Sequence, residues 1–282
     1  MFGKLAKILY GNFQSKDELK KFGMLSAIFG FTIGVYWVLR PLKDNVFMNT
    51  VGISFQPAAK LVSLFMIIPL IFFYSKLVDK FPRHKLFYVL CVTYGLLALF
   101  FAFLMFHPTI GMANTVKSPW RLLGWGWYVY VESFGSLMVA LFWSFASDTT
   151  TPESAKRGFP LVALGAQIGG VLGPLAVAPI VKVYGSAPCA VATGLLTFAI
   201  AGMIWLFMKV IPKDQLAGFQ GKETKTEKKK KTGFAEGLKL ILSKPYLLGI
   251  FAVVSIYEVI VTILDFKFKF LASTVYLTDQ SL

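Results

Sequence analysis

The chain has 282 residues, of which 56% are hydrophobic and 15% are Asp, Glu, Lys or Arg, and its mean hydropathy is +0.65. About a quarter of the residues in a soluble domain are charged, so this composition argues against a soluble fold and predicts an all-α polytopic membrane protein. The apolar runs are continuous over ~20 residues and do not alternate over ~10, which argues against a transmembrane barrel.

A net charge of +15 would favour nucleic-acid binding in a soluble protein. Here the basic residues cluster at the ends of apolar segments, so we attribute them to topology and expect no nucleic-acid partner.

Seven apolar segments are each long enough to cross a ~30 Å hydrocarbon core. They are Phe22–Leu39, Ala58–Leu77, Leu86–Phe106, Leu122–Ala146, Phe159–Val181, Pro188–Ile211 and Tyr246–Phe266. The long polar segment Pro212–Lys244 carries a lysine run, and its last part, Gly233–Lys244, predicts a short amphipathic helix at the membrane surface. A lysine-rich linker can also bind anionic lipid, so membrane lipid is an expected partner.

The distribution of basic residues predicts the orientation of the chain. With the N-terminus in the cytoplasm, 21 of the 29 Lys and Arg residues fall on the cytoplasmic side. Such a bias sets the topology of membrane proteins. We therefore expect a multi-pass protein with a cytoplasmic N-terminus.

The order of segments resembles one half of a twelve-span transporter. Six spans, a basic loop and a seventh span match the major-facilitator layout, in which two six-span halves are joined. We expect a six-helix bundle over residues 1–211, a basic linker with a short helix over 212–244, and the first helix of a second bundle over 245–282. On this interpretation the chain is a fragment or a truncated product, and the C-terminal half is its missing partner. An oligomer of shorter units is the alternative, which leaves the seventh span unexplained.

Glu132 is an acid inside an otherwise apolar segment. A carboxylate at the bilayer centre costs at least ~2.5–3.5 kcal/mol, so it should face a cavity or a cation. Arg40 and Lys43, at the far end of the first segment, are the candidate partners. Intramembrane ionisable groups are functional by default, although an interhelical hydrogen bond of purely structural value is the alternative.

Arg40 and Lys43 are three residues apart and project from one helical face. Arg offers a planar donor fork and Lys a compact charge, and both suit phosphate. The alternative is that both side chains snorkel to the interface, and Asp44 can pair with either of them. In the seventh segment, Glu258 and Asp265 with the lysines beyond them form a second acid–base set.

Two further segments suggest conformational roles. Asp79 and Arg83 lie in a basic loop that resembles the major-facilitator signature, in which charges bridge neighbouring helix ends and latch one state; ordinary topology is the alternative. The fifth segment holds a small-residue face, which allows close helix packing and can act as a sliding surface. The face consists of Gly165, Gly169 and Gly173, followed by Pro174, which can bend the helix. Gln167 in the same segment can hydrogen-bond a substrate.

Enzymatic motifs are missing from the sequence. It has no Gly-x4-Gly-Lys-Ser/Thr phosphate loop, no metal-ligand spacing and no nucleophile–base pair. The two cysteines, Cys91 and Cys189, lie in apolar runs and are interpreted as buried, inert thiols. We therefore predict a protein that is not an enzyme and that needs neither a cofactor nor a metal.

Several of these segments together resemble the ATP/ADP translocase family of intracellular bacteria and plastids. They are residues 36–44 (YWVLRPLKD), 130–146 (YVESFGSLMVALFWSFA), 155–166 (AKRGFPLVALGA) and 243–246 (SKPY). The resemblance runs from about residue 22 to 270 and covers the N-terminal half of the family's twelve spans. It implies exchange of ATP for ADP, or of related nucleotides, by alternating access, and a bacterial inner membrane as the location.

The resemblance also implies roles for single residues. A lysine and a glutamate that matter for transport in the family correspond to Lys43 and Glu132. An acid in the family's seventh span corresponds to Asp265 with an offset register, and Glu258 competes for that place. Two alternatives remain: a major-facilitator-like carrier of another organic anion, and a non-transporting membrane component.

Overall fold

The computed structural model describes residues 13–212, 215–216 and 234–275, and every regular element in this part of the chain is a helix. The helices are α1 Lys16–Thr50, α2 Gln56–Lys80, α3 Arg83–Phe106, α4 Leu122–Asp148, α5 Pro152–Tyr184, α6 Ser186–Val210, α7 Phe234–Ser243 and α8 Pro245–Val275. Seven of them, all but α7, are long and apolar enough to cross a membrane. The prediction of an all-α polytopic membrane protein is therefore confirmed.

The first helix is much longer than its apolar segment suggested. Ser15 caps its start by accepting a hydrogen bond from the Glu18 backbone N–H at 3.0 Å, which satisfies one otherwise unpaired donor. The apolar segment ends at Leu39, and the helix continues beyond it through Pro41 to Thr50. A proline removes only one backbone donor, and the charged residues that follow it are paired within the bundle. The chain then turns at Gly52, whose φ of 113° favours glycine.

Helices α1 to α6 pack into one bundle with a shared hydrophobic core. Its centre is aromatic, and Phe29 on α1 stacks on Phe142 on α4 with ring centroids 4.1 Å apart. Helix α1 packs against α4, α5 and α6, while α3 packs against α6 and α2 against α4. This arrangement places the C-terminal part of α1 beside the N-terminal halves of α2 and α4, which positions the charged residues described below.

The tightest helix contact lies between α1 and α5, on the predicted glycine face. A Cβ built at Gly30 would lie 2.8 Å from the carbonyl oxygen of Gly165, and one at Gly173 would lie 2.6 Å from that of Gly34. A Cβ at Gly169 would overlap the Gly30 carbonyl. Because only glycine permits such a backbone approach, the packing role of this face is confirmed. Helix α5 continues through Pro174.

The last two helices follow the predicted order. The expected amphipathic segment forms α7, while the lysine run before it lies outside the described residues. The apolar window of α8 buries none of its residues against the rest of the structure. The three-part division of the chain at residues 211 and 244 stays a prediction.

Candidate functional site

The packing of α1 on α4 brings the two expected charges together. The ring of Tyr36 lies against the backbone at Gly135, where any Cβ would overlap it. Two turns along α1, the Lys43 ammonium donates to Glu132 Oε1 at 2.6 Å. The expected pairing of Glu132 with a cation of the first helix is confirmed, and its partner is Lys43.

Lys43 is enclosed rather than extended to a surface. Its side chain is 5% exposed, and its ammonium lies 4.3 Å from the centroid of the Tyr128 ring, a cation–π contact. This contradicts snorkelling for Lys43, because the helix continues past it and the ammonium turns inward. Arg40, one turn earlier, is half-buried, with Cζ 5.2 Å from the Trp37 ring centroid. Within the described residues, Arg40 forms no ion pair.

A second lysine, which was not among the site residues expected from the sequence, completes the site. Lys60 on α2 donates to the same Glu132 Oε1 at 3.0 Å. It lies inside the predicted second span, near the end that adjoins Lys43. Its position at membrane depth was the signal that could have identified it.

Asp44 connects this cluster to α2 and α8. It accepts a hydrogen bond from Gln56 Nε2 at 2.9 Å and one from Lys269 Nζ at 2.6 Å, while Lys43 Nζ lies 3.9 Å away. Lys269 also pairs with Asp265, four residues earlier on α8. The ion-pair network therefore extends from Glu132 through Lys43 and Asp44 to Asp265.

Other expected site residues lie apart from this network. Gln167 is exposed on α5 and forms no hydrogen bond with a described residue, so the structure does not bring it to Glu132. Glu258 is likewise exposed on α8. The substrate-contacting roles expected of Gln167 and Asp265 stay predictions.

Arg83 joins three helix ends at the opposite end of α4. Its Nε donates to Ser144 Oγ at 2.7 Å and lies 3.4 Å from Asp148, and its Nη1 donates to the Val78 carbonyl. These contacts bridge the ends of α2 and α4 at the start of α3. The side chain of Asp79 lies outside the described residues, and the latching role of both residues stays a prediction.

A further charged cluster at that end of the bundle was not anticipated. Buried Glu18 on α1 accepts hydrogen bonds from Ser154 Oγ at 2.7 Å and from Arg157 Nη2 at 2.8 Å, both on α5. Lys21 donates to the carbonyls of Thr149 and Gln215 at 3.4 and 3.1 Å. From the sequence, basic residues at the ends of the apolar segments were expected only to set the topology.

The chemistry that these side chains support is electrostatic. The cluster offers ammonium groups and carboxylates at membrane depth, an arrangement that marks pathways for charged solutes. In the described part of the chain, no group of three His, Cys, Asp or Glu side chains could hold a metal ion.

Comparison with known proteins identifies the family of the chain. Residues 1–281 match the family described as TLC ATP/ADP transporter. ADP,ATP carrier protein 1, chloroplastic, from Arabidopsis thaliana is 27% identical over 289 residues, which cover 89% of this chain and 45% of that protein. ADP,ATP carrier protein 1 from Chlamydia muridarum is 25% identical and is matched over 95% of this chain and 56% of its own length.

A third relative matches a shorter region more closely. The Plastidic ATP/ADP-transporter of Solanum tuberosum is 34% identical over 173 residues, or 53% of this chain and 27% of the relative. The chain spans about half the length of the curated relatives that it matches. No solved structure matches it. Given the agreement over residues 1–281, the chain belongs to the TLC ATP/ADP transporter family.

Proposed function

We propose that the chain forms the N-terminal bundle of a carrier that exchanges ATP for ADP, or related nucleotides, across a membrane by alternating access. The single observation that carries this proposal is the ion pair between Lys43 and Glu132, buried at membrane depth in a chain of this family. The named relatives are carriers, and we infer that this chain also transports rather than catalyses.

The cations near Glu132 would receive the nucleotide phosphates. Lys43 provides a point charge, and Arg40, without an ion pair in the described residues, provides a planar fork. In the absence of substrate, Glu132 would hold Lys43 in place and limit the net positive charge of the site. A phosphate that competes with Glu132 for the lysine would couple binding to a rearrangement between α1 and α4.

Location and partners complete the proposal. The distribution of basic residues supports a cytoplasmic N-terminus, and a bacterial inner membrane suits that orientation. Anionic lipid would contact the basic region around α7. A second bundle, beginning with α8 and corresponding to the remaining length of the relatives, would close the pathway opposite α2 and α5.

Counterflow in proteoliposomes tests the function. Vesicles that contain the whole protein are preloaded with ATP, and uptake of labelled external ADP is measured. The same protein-containing vesicles without internal nucleotide are the comparison. Uptake that depends on internal nucleotide supports the proposal, and equal uptake in both contradicts it. A panel of unlabelled competitors separates a nucleotide carrier from a carrier of another organic anion, because only the former is blocked selectively by adenine nucleotides.

A further inference from the structure

Lys60 shares one carboxylate oxygen with Lys43 but differs from it in environment. Both ammonium groups donate to Glu132 Oε1, Lys43 at 2.6 Å and Lys60 at 3.0 Å. The Lys43 side chain is 5% exposed, whereas that of Lys60 is 42% exposed. Lys43 is therefore enclosed by protein, and Lys60 reaches the same carboxylate from the open side of the cluster.

Two lysines share one carboxylate oxygen at this point. The network as a whole holds three acids and three lysines, but Lys43 has a second acid nearby, whereas Lys60 pairs only with Glu132 among the described residues. Asp44 is 3.9 Å from Lys43 but accepts closer hydrogen bonds from Gln56 and Lys269. Lys60 is the more exposed of the two lysines that share Glu132, so an anion entering from the open side meets it first.

Lys60 also has N–H groups that donate to no described residue. A lysine ammonium carries three N–H donors, and among the described residues only Glu132 accepts one from Lys60. Lys60 can leave Glu132 while Lys43 stays paired, so its movement does not leave the carboxylate without a cation. Lysine is a common point-charge ligand of phosphate.

We propose that Lys60 binds the phosphates of the transported nucleotide and exchanges its contact with Glu132 for a phosphate oxygen when the substrate enters. This inference rests on the proposed function. It makes Lys60 the first of the two lysines to contact the phosphate chain, while Lys43 is still paired with Glu132 as the substrate enters.

Binding to the purified whole protein tests the inference. Dissociation constants are measured for ATP, ADP, AMP and adenosine with the wild type, Lys60→Gln and Lys60→Arg. Losing a hydrogen bond to a charged group is worth roughly ten- to hundred-fold in affinity. We expect Lys60→Gln to weaken ATP and ADP by at least about ten-fold, to leave adenosine unchanged, and Lys60→Arg to recover most of the loss.

The matched control is Lys76→Gln on the same helix. Lys76 lies over the Phe72 ring, 4.5 Å from its centroid, and has no ion pair with a described residue. We expect wild-type affinities for all four ligands. Equal losses for adenosine and ATP in Lys60→Gln, or full ATP affinity in that variant, would overturn the proposed phosphate contact.

A double variant separates phosphate binding from simple neutralisation of Glu132. If Lys60 serves only as a counter-ion to Glu132, the double variant Lys60→Gln with Glu132→Gln binds ATP with the same affinity as Glu132→Gln alone. That result would overturn the inference. If Lys60 contacts phosphate, the double variant binds ATP about ten-fold more weakly than Glu132→Gln alone. A wild type that binds no nucleotide contradicts the proposed function itself, whereas normal wild-type binding with no effect at Lys60 contradicts this inference alone.

Discussion

Lys43 and Glu132 connect α1 to α4 by an ion pair with a 2.6 Å separation between Nζ and Oε1. The two residues are 89 positions apart in sequence, and both lie within helices that can cross a membrane. Their contact explains how an apolar bundle accommodates a carboxylate. It also places a buried cation beside the acid that a substrate phosphate would displace in the proposed function.

The stability of the bundle should depend on this pair as a unit. Removing one partner of a buried pair costs about 3–5 kcal/mol when the other charge is left unpaired. Because Lys60 remains near Glu132, we expect Lys43→Met to lose less, about 1–3 kcal/mol, which is the cost of an unsatisfied buried group. Unfolding in detergent measures the loss. The double variant Lys43→Met with Glu132→Gln should recover part of it, and additive losses would contradict the pairing.

The crossing of α1 and α5 should tolerate no side chain at its centre. Gly169→Ala places a methyl group on the Gly30 carbonyl, and overpacking of this kind costs about 1–3 kcal/mol. We expect a matching fall in stability, measured by unfolding in detergent.

Gly23→Ala is the control for the glycine face. It lies on α1, and a Cβ there has no neighbour within 4 Å. Alanine is the better helix former by up to ~1 kcal/mol, so this variant should be as stable as the wild type or more stable. If both variants behave alike, close packing at Gly169 is not what holds the two helices together.

The Glu18 cluster should contribute more than an ordinary surface acid. Glu18 is buried and accepts from Ser154 and Arg157, and hydrogen bonds to charged groups contribute about 1.5–3 kcal/mol. We expect Glu18→Gln to lower the free energy of unfolding by that amount.

The neighbouring exposed acid provides the control for Glu18. Asp17→Asn removes only a favourable interaction with the helix dipole, about 0.3–1 kcal/mol. Equal effects of the two substitutions on unfolding would mean that the α1–α5 contacts of Glu18 add nothing.

Arg83 should be replaceable by neither lysine nor glutamine. Its guanidinium donates from two separate nitrogens, Nε to Ser144 and Nη1 to the Val78 carbonyl, and the single nitrogen of a lysine does not reproduce this planar geometry. We expect both variants to lower stability by about 1–3 kcal/mol and to change the exchange rate measured in vesicles. Exposed Lys85→Gln should change neither, and a wild-type exchange rate in Arg83→Gln would argue against a latch.

The helices and the central ion pair were accessible from the sequence because they depend on local properties. Continuous apolar runs determine where a chain can cross a bilayer, and a carboxylate at depth demands a cation. The last turns of α1 could not be identified from the apolar run, which stops at Leu39, before Pro41 and the charges beside it. Tertiary partners for Lys43 and Asp44 allow the helix to continue to Thr50.

The remaining parts of the site depend on how the helices are rotated relative to one another. Lys60 reaches Glu132 because α2 packs on α4, and Asp44 meets Lys269 across 225 positions of sequence. No periodicity within one helix encodes these contacts. For the same reason Gln167, a plausible polar group at membrane depth, lies on an exposed face of α5 away from the cluster.

The most direct test of the account is nucleotide counterflow by the whole protein with substitutions at the central pair. Vesicles preloaded with ATP receive labelled external ADP, and the initial rate is compared among the wild type, Lys43→Ala, Glu132→Gln and the control Lys76→Ala. We expect exchange by the wild type and the control, and rates at least about ten-fold lower in the other two, as the loss of a charged hydrogen bond implies. Absence of counterflow by the wild type, or wild-type rates in both Lys43→Ala and Glu132→Gln, would contradict it.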